Sequence, residues 1–502
     1  MTARYLAFHA AERPNAVALV VQGREITFAQ FHTDLGKVTR ALKSWGLAPG
    51  QAVAIRCADL YWHWLLQLGF ESLDITTASL DEREGEDAAG FLTTVDLLLT
   101  DVDRFPSARD FRLVTPEWCR EVLAGEAVGD EASGGGTAPV RIIRTSGTTG
   151  LPKRLHYSRR MRDAWLAVTN WYVPQDTTSR FLMALPCTVE AVNAALTCCL
   201  RAGGTAVSVP ANQTSAIPDL IARHGITHIG LLPAQLQQLL AELPADFRKP
   251  AGLTIVTFGG AVSNALRAEA LARLTERLYD LYGTNEAGLI TLRRTDGPEG
   301  VGLIAPMSEA EVVDEAGGPV PAGEAGWLRL RGAGTFEGYL DDPETNRRMF
   351  RDGWFYPGDV GILLGNRRLH ILGRGDELIN VGGVKIGPDR IEDQVRTLAG
   401  AQDVGACGFR NRAGVQEVYL GVARQAGEDD GLYDRVLQAV DQLGVGKFYV
   451  VKLDRVPRNA NGKIRRKQLK RAIADEILRH DPDWTSRVLI DPTEIDPVAE
   501  ER

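Results

Sequence analysis

The chain has 502 residues, 44% hydrophobic and 24% charged, with a formal net charge of -8. That length exceeds one ordinary core and calls for two or more domains, and the composition excludes a disordered chain. The acidic balance argues against a nucleic-acid partner, and six scattered cysteines (Cys57, Cys119, Cys187, Cys198, Cys199, Cys407) without a C-x-x-C pair argue against a zinc site or disulfide scaffold.

In chain order, the opening "MTARYLAFHAAERPNAVAL" lacks a basic-then-apolar leader pattern, and no apolar run reaches the ~18 residues of a membrane span. A cytoplasmic protein is expected. "FAQFHTDLGKVTRALKSWGL" has helical periodicity, with Gly46 as its stop. "AVAIRC" reads as a short strand, "YWHWLLQLGF" as a buried helix, and "VDLLLTD" and "FRLVTP" as further strands. "GEAVGDEASGGGTAP" (Gly125 to Pro139) is linker-like. Strand patterns then recur in "GTAVSVP", "ITHIGLLP", "LTIVTFGG" and "RLYDLYG", separated by helices such as "PAQLQQLLAEL". This alternation predicts an α/β fold with mostly parallel sheets. From about Gly326 shorter strands with glycine turns follow. After Gly373 comes a smaller unit in which "GVKIGPDRIEDQVRTLAG" runs from strand to helix, and "IDPTEIDPVAEER" reads as a loosely held tail.

The stretch "RIIRTSGTTGLPKRLHYS" (Arg141 to Ser158) carries the densest chemistry. As a plain turn between strand and helix it would be unremarked, because glycine and threonine are common there. Glycines also let backbone approach a ligand, hydroxyls donate hydrogen bonds, and lysine offers charge to a polyphosphate. The pattern G-x-x-x-x-G-K-[ST] fails, since Leu151 and Pro152 separate Gly150 from Lys153.

"RTSGTTGLPKRL" resembles the phosphate loop of the adenylate-forming superfamily of acyl- and aryl-CoA synthetases, adenylation domains and luciferases. "LYGTNEAG" (Leu281 to Gly288), "DGWFYPGDVG" (Asp352 to Gly361), "GRGDELINVGGVKIGPDRIED" (Gly373 to Asp393) and "RVPRNANGKIRRKQL" (Arg455 to Leu469) resemble its later motifs in order. "FGGA" (Phe258 to Ala261) matches its adenine-side glycines more weakly. The resemblance implies a large nucleotide- and acid-binding unit over residues 1–374, of mostly parallel sheets flanked by helices plus a small distorted barrel. It further implies a hinge at 375–376 and a small mobile α+β lid over 377–502. The implied activity joins a carboxylic acid to ATP, expels pyrophosphate, and passes the acyl group from AMP to a thiol. Such chemistry asks for charge stabilisation and alignment rather than acid–base machinery.

On this resemblance Thr145, Ser146, Gly147, Thr148, Thr149, Gly150 and Lys153 cradle the departing phosphates, and Glu286 is the ligand of Mg2+. Gly259, Gly260, Ala261, Tyr282, Gly283, Thr284 and Asn285 belong to the nucleotide site, with Tyr282 stacking on adenine. Asp359 and Arg374 hold the ribose, and Lys385 lies in the strand after the hinge on the nucleotide side. Asp376 is the implied pivot. Lys463 is the catalytic lysine that bridges acyl carboxylate and α-phosphate, and Gly383 lines the tunnel for the thiol of CoA or phosphopantetheine.

The sequence departs from the family pattern at Asn285, Pro357 and Arg154, where threonine, threonine and glycine are usual. The gate after the leucine-proline pair is Thr188 and Val189, without an aromatic or histidine. No aspartate for a substrate ammonium is apparent unless Glu190 serves, so a standard α-amino acid is disfavoured. The acid pocket is expected from Val189, Asn193, His228, Gly230, Phe258, Thr284 and Gly288, with His228 equally readable as a core residue. The acceptor is expected to be CoA, the alternatives being a separate carrier protein's phosphopantetheine arm or an amine. Arg410, Arg412, Lys447 and Lys452 are possible contributors to a patch for the CoA nucleotide. Family members are often monomers or homodimers. A catalytically silent binding protein is the contrasting reading, and retention of Glu286, Asp359, Arg374 and Lys463 argues against it.

Overall fold

Thr27 begins the first long helix, Phe28–Lys43, because its side chain accepts from Gln30 N. The helix ends at Lys43, three residues before Gly46, which takes the left-handed φ of 71° that a side chain would resist. The apolar "YWHWLLQLGF" lies in the helix Leu60–Ser72, capped by Asp59 and buried from Tyr61 to its end. A helix apolar on all sides belongs inside a protein. The computed structural model describes residues 1–80, 89–102, 110–127, 139–145, 153–186, 188–209, 214–295, 297–298, 300–332, 334–381, 384–413, 415–425, 431–442, 447–458 and 462–489. Most of the linker-like stretch and the acidic tail lie outside these residues.

The β-branched runs form two parallel-rich sheets among the described residues. The first has the order Phe111–Leu113, Leu97–Thr100, Ala52–Arg56, Thr76–Ser79, Arg141–Thr145 and Lys153–Tyr157. Its neighbours pair in parallel except the last two strands, which are antiparallel with Thr145 opposite Lys153. In the second, Val17–Val21, Thr205–Ser208, Arg180–Met183, His228–Leu231, Thr254–Thr257 and Arg277–Thr284 run parallel. The sheet then turns antiparallel through Gly288–Arg293, Val301–Ile304, Arg368–Arg374, Asp359–Leu363 and Ala325–Gly332. This antiparallel extension stands where the small barrel is expected. It curls around Ile290, Ile304, Leu328, Leu330, Phe355 and Leu369, and Ser308 Oγ donates to Leu289 O at 2.8 Å across it.

After Arg374 the chain makes a hairpin, Ile379–Val381 with Val384–Ile386. A four-stranded sheet follows, ordered Phe448–Leu453, Gln416–Ala423, Asp403–Asn411 and Val488–Leu489. The helices Pro388–Ala399, Leu432–Asp441 and Arg466–His480 accompany it. The two buried clusters here, around Ile391, Val404, Leu420 and Val436 and around Phe409, Tyr419, Leu469 and Trp484, draw on no residue before Ile379. The α/β architecture read from the sequence is therefore the architecture observed.

Candidate functional site

Parallel strands aim their C-terminal ends at one edge, where open α/β sheets bind ligands. Leu231, Thr257 and Asp280 stand level in adjacent strands, so the residues just beyond them share that edge. Gly230 and Phe258 meet there: a Cβ on Gly230 would lie 3.3 Å from the Phe258 ring. Gly259 follows with φ 78°, opening an exposed turn with Gly260 and Ala261. Val189 is half-buried against the same core as Phe258 and sits at the N-cap of the helix Glu190–Ala202.

The strand Arg277–Thr284 returns as Gly288–Arg293, with a register shift between Tyr282 and Gly283. Gly283 is required by crowding, since a Cβ would fall 2.5 Å from Gly288 O. Gly288 needs its own left-handed φ of 76°, and its α-carbon faces the Trp165 ring. The turn between them, with Thr284 and Asn285 half-buried, carries Glu286, which is buried. Tyr339 Oη donates to Glu286 Oε1 at 2.8 Å, and Phe336 N donates to Glu286 O at 2.8 Å. Burial pushes the Glu286 carboxyl upward, while the Tyr339 and Thr284 hydroxyls and the Lys153 ammonium favour its ionised form. The Lys153 ammonium lies 5.0 Å from the Tyr339 ring centroid. Burial also lowers the Lys153 pKa.

Asp359 and Arg374 face each other across an antiparallel pair. Arg374 Nη1 lies 3.7 Å from Asp359 Oδ1 and also donates to Pro357 O. Tyr282 Oη donates to Asp359 Oδ2 at 2.5 Å. Burial raises the Asp359 carboxyl, and Tyr282, Arg374 and Lys463 oppose that rise. The exposed Asp376, the pivot expected from the resemblance, lies 3.4 Å from Arg374 Nε. Lys463, from the far end of the chain, also favours ionisation of Glu377, whose carboxyl burial pushes up. The fold thus brings Lys153, Tyr282, Glu286, Asp359, Arg374 and Lys463 into one electrostatic neighbourhood.

Other expected residues are placed differently. Ser146, Gly147, Thr148, Thr149, Gly150 and Gly383 lie outside the described residues, as does Cys187. Thr145 closes the strand Arg141–Thr145 and Lys385 lies mid-strand in Val384–Ile386, both described as backbone. The glycine-threonine loop therefore joins two antiparallel strands, and not a strand and a helix as a plain turn reading would have it. His228 is a correction. It opens its strand, level with Thr254 and Arg277, about 10 Å from the ligand-binding edge at ~3.3 Å per residue. Its Nδ1 lies 2.8 Å from Thr227 Oγ1, and burial lowers its pKa. It belongs to the opposite rim of the sheet and not to an acid pocket.

Glu190 is likewise committed elsewhere. It is buried with Oε2 3.5 Å from Arg141 Nε, and burial raises its carboxyl while Arg141 and Arg162 resist. Arg141 also donates to Gln67 Oε1, and through Nη2 to Ser79 Oγ at 3.0 Å. Asn193 Nδ2 donates to Gln67 Oε1 at 3.3 Å, so the buried Asn193 joins this network. Arg141, Gln67 and Tyr339 are the residues that motif reading missed. Only the tertiary pairing of distant segments reveals them.

Among the described residues no group of three or more metal-ligating side chains occurs. A single buried carboxylate suits magnesium shared with phosphate oxygens, because Mg2+ takes one or two carboxylates and completes its shell with phosphate and water. No helix among the described residues is long and apolar enough to cross a membrane.

The family model described as AMP-binding enzyme matches residues 6–340. The chain is 28% identical over 495 residues to an indoleacetate–CoA ligase of Aromatoleum aromaticum, covering 93% of this chain and 97% of that protein. It is 26% identical over 493 residues to the fatty acid–[acyl-carrier-protein] ligase ScoC of Streptomyces coeruleorubidus, covering 92% and 94%. The fold superposes on ATP-bound MatB from Rhodopseudomonas palustris with a TM-score of 0.82 at 24% identity, covering 95% of this chain and 100% of that one. The chain therefore belongs to the AMP-binding enzymes of the adenylate-forming superfamily, and it is an AMP-forming acid–thiol ligase of the acyl-CoA synthetase type.

Proposed function

We propose that the protein condenses an apolar, aromatic or aliphatic carboxylic acid with ATP and transfers the acyl group to the thiol of CoA. The observation that carries this reading is the gathering of Glu286, Asp359, Arg374 and Lys463 at the C-terminal edge of the parallel strands. In the first step a carboxylate oxygen attacks the α-phosphorus and pyrophosphate departs. Asp359 accepts from the ribose hydroxyls, Arg374 steadies Asp359, and Tyr282 provides an aromatic face for adenine while its hydroxyl orients the same carboxylate. Lys153 and the loop from Thr145 to Gly150 neutralise the departing phosphates. Glu286 would hold a magnesium ion, which when bound would supply Lewis-acid stabilisation of phosphate charge. Lys463 aligns the acid's carboxylate with the α-phosphate, where placement and charge dominate the rate.

In the second step the thiol sulfur attacks the acyl carbon, its proton passes to solvent, and AMP leaves. Residues 377–502 act as a lid about Asp376, and residues 1–374 hold the nucleotide and acid. The independence of the cores after Ile379 supports this division. The thiol tunnel passes Gly383. Val189, Gly230, Phe258 and Gly288 form the acid's walls, which suits an apolar carboxylate. The indoleacetate–CoA ligase favours CoA as acceptor. The carrier-protein ligase of similar identity keeps a phosphopantetheine arm as the second reading. Among the basic residues considered for a CoA patch, Lys447 lies 3.7 Å from Glu417 and Lys452 lies over Tyr433, so both have local partners.

The test is pyrophosphate release with ATP, magnesium and a panel of indole-3-acetate, benzoate, 4-coumarate, 2-succinylbenzoate and octanoate, with and without CoA. An acyl-CoA mass is expected for at least one acid. An acyl-adenylate that ignores CoA favours the carrier-protein reading, and no acid-dependent pyrophosphate from a broad panel overturns the proposal.

A further inference from the structure

Among the described residues, Arg458 ties together the two sides of the segment that presents Lys463. Arg458 and Ile464 face each other in an isolated antiparallel bridge, and Arg465 N donates to Pro457 O at 2.9 Å. The Arg458 guanidinium donates through Nη1 at 3.0 Å to the carbonyl of Gly462, the residue directly before Lys463. Its Nη2 donates to Asp403 Oδ1 at 3.0 Å, and the other Asp403 oxygen accepts from Val456 N at 3.0 Å. Asp403 opens the strand Asp403–Asn411, so this fork runs from a rigid sheet to the peptide that carries Lys463.

The same place seats the lid on the large unit. A Cβ on Gly462 would lie 3.1 Å from Ala234 Cβ, in the helix Pro233–Glu242 that follows the strand His228–Leu231. On that helix Gln237 Nε2 donates to Gln402 Oε1 at 3.0 Å, one residue before Asp403. Arg458 therefore joins the docked residue pair 402–403 to the peptide of Gly462. Lys463 itself is exposed, and a four-carbon side chain on an unfixed peptide would sample many positions away from the α-phosphate.

We propose that Arg458, held by Asp403, is a positioning residue for the adenylation half-reaction. This rests on the role given above to Lys463. A planar, forked donor fits the task, because it bonds a carboxylate and a carbonyl at once in fixed geometry. Once the lid has moved for thiol attack, Lys463 is withdrawn and the fork has no part in the rate.

The experiment compares the full chain with Arg458→Met, Arg458→Lys and Lys463→Met. Adenylation is read by acid-dependent pyrophosphate exchange with the best acid of the panel, and the second half-reaction by CoA consumption of the preformed acyl-adenylate. Arg458→Met is expected to slow adenylation about tenfold or more while the second half-reaction stays within about twofold, with Arg458→Lys intermediate. Hydrogen exchange of the peptide spanning residues 462–466 needs no substrate. It is expected to quicken in Arg458→Met at an unchanged melting temperature. Unchanged exchange, or half-reactions that fall in parallel, overturns the proposal. If Arg458→Met unfolds the protein, Arg458→Lys decides by the same two readouts. If Lys463→Met leaves adenylation intact, the reading of Lys463 has failed. If only Lys463→Met slows adenylation, that reading stands and the role of Arg458 is lost.

Discussion

Tyr282 donates its hydroxyl hydrogen to Asp359 Oδ2 at 2.5 Å, joining two motifs that lie 77 positions apart. The bond fixes the carboxylate that the proposed function gives to the ribose, while the ring stays available to the base. Tyr282→Phe keeps the ring and removes the bond. The KM for ATP should rise about three- to tenfold with kcat little changed, since a hydrogen bond to a charged group contributes about 1.5–3 kcal/mol at most. Steady-state kinetics at saturating acid reads this. An unchanged KM would show that the bond does not hold the ribose-binding carboxylate.

Burial raises the Asp359 carboxyl above its ordinary value. The ionised form accepts two hydroxyl hydrogens, and protonation removes that capacity. Apparent ATP affinity should therefore fall as pH drops, with the acid limb above the usual carboxylate pKa of about 4. A kcat/KM profile for ATP between neutral pH and the acid limit of stability measures it. A limb below about 4 would contradict the direction.

Glu71 and Arg162 form a buried bidentate pair, with Oε2 and Oε1 at 2.6 Å and 2.5 Å from the two terminal nitrogens. Burial alone would raise the Glu71 carboxyl, but Arg162 and Arg159 outweigh it and hold the pKa at about 2. A depressed folded pKa stabilises above the unfolded value of about 4.3, and that stability is lost as pH falls towards about 2. Glu71→Gln at neutral pH leaves a buried cation short of its partner and should cost about 3–5 kcal/mol. Chemical denaturation would show it, and a loss below about 1 kcal/mol would be against the pair's importance.

Val189 is half-buried against the same core as Phe258, and the proposed function places both in the acid's walls. Val189→Trp should lower kcat/KM for indole-3-acetate and 4-coumarate at least about tenfold more than for acetate, because the added ring fills volume only large acids use. Equal losses for all three acids would remove Val189 from the pocket wall.

Gly283→Ala tests the bulge that aims Tyr282 and Glu286. Its new methyl would meet Gly288 O at 2.5 Å, and backbone cannot yield as a flexible side chain can. The expected cost is about 1–3 kcal/mol of stability with a larger loss of ATP binding, read by thermal unfolding with and without ATP.

Much of the fold was legible along the chain because its causes are local. The alternation in "ITHIGLLP" and "LTIVTFGG" appears as the parallel strands His228–Leu231 and Thr254–Thr257, and Gly46 and Gly400 take left-handed conformations near helix ends. Glu286, Asp359, Arg374 and Lys463 were singled out because each sits in a short motif that resembles the family's, and short motifs are local in sequence. His228 was misplaced for a reason that shows the limit. A strand motif says which residues are in line, but not which end of the sheet faces the ligand.

The sequence by itself determined the α/β alternation, the family and the motif residues, because periodicity, turn chemistry and short motifs are written in neighbouring residues. The tertiary structure alone decided what those residues touch. It paired Tyr282 with Asp359, set Tyr339 on Glu286, turned Glu190 into Arg141 and closed the Lys463 segment with Arg458. Tyr282 and Asp359 lie 77 positions apart, Tyr339 and Glu286 lie 53 apart, and the fork that closes the Lys463 segment reaches Asp403 from Arg458 across 55. Such pairings follow from the packing of whole sheets and helices, in which a buried charge must find its partner wherever the chain has placed it.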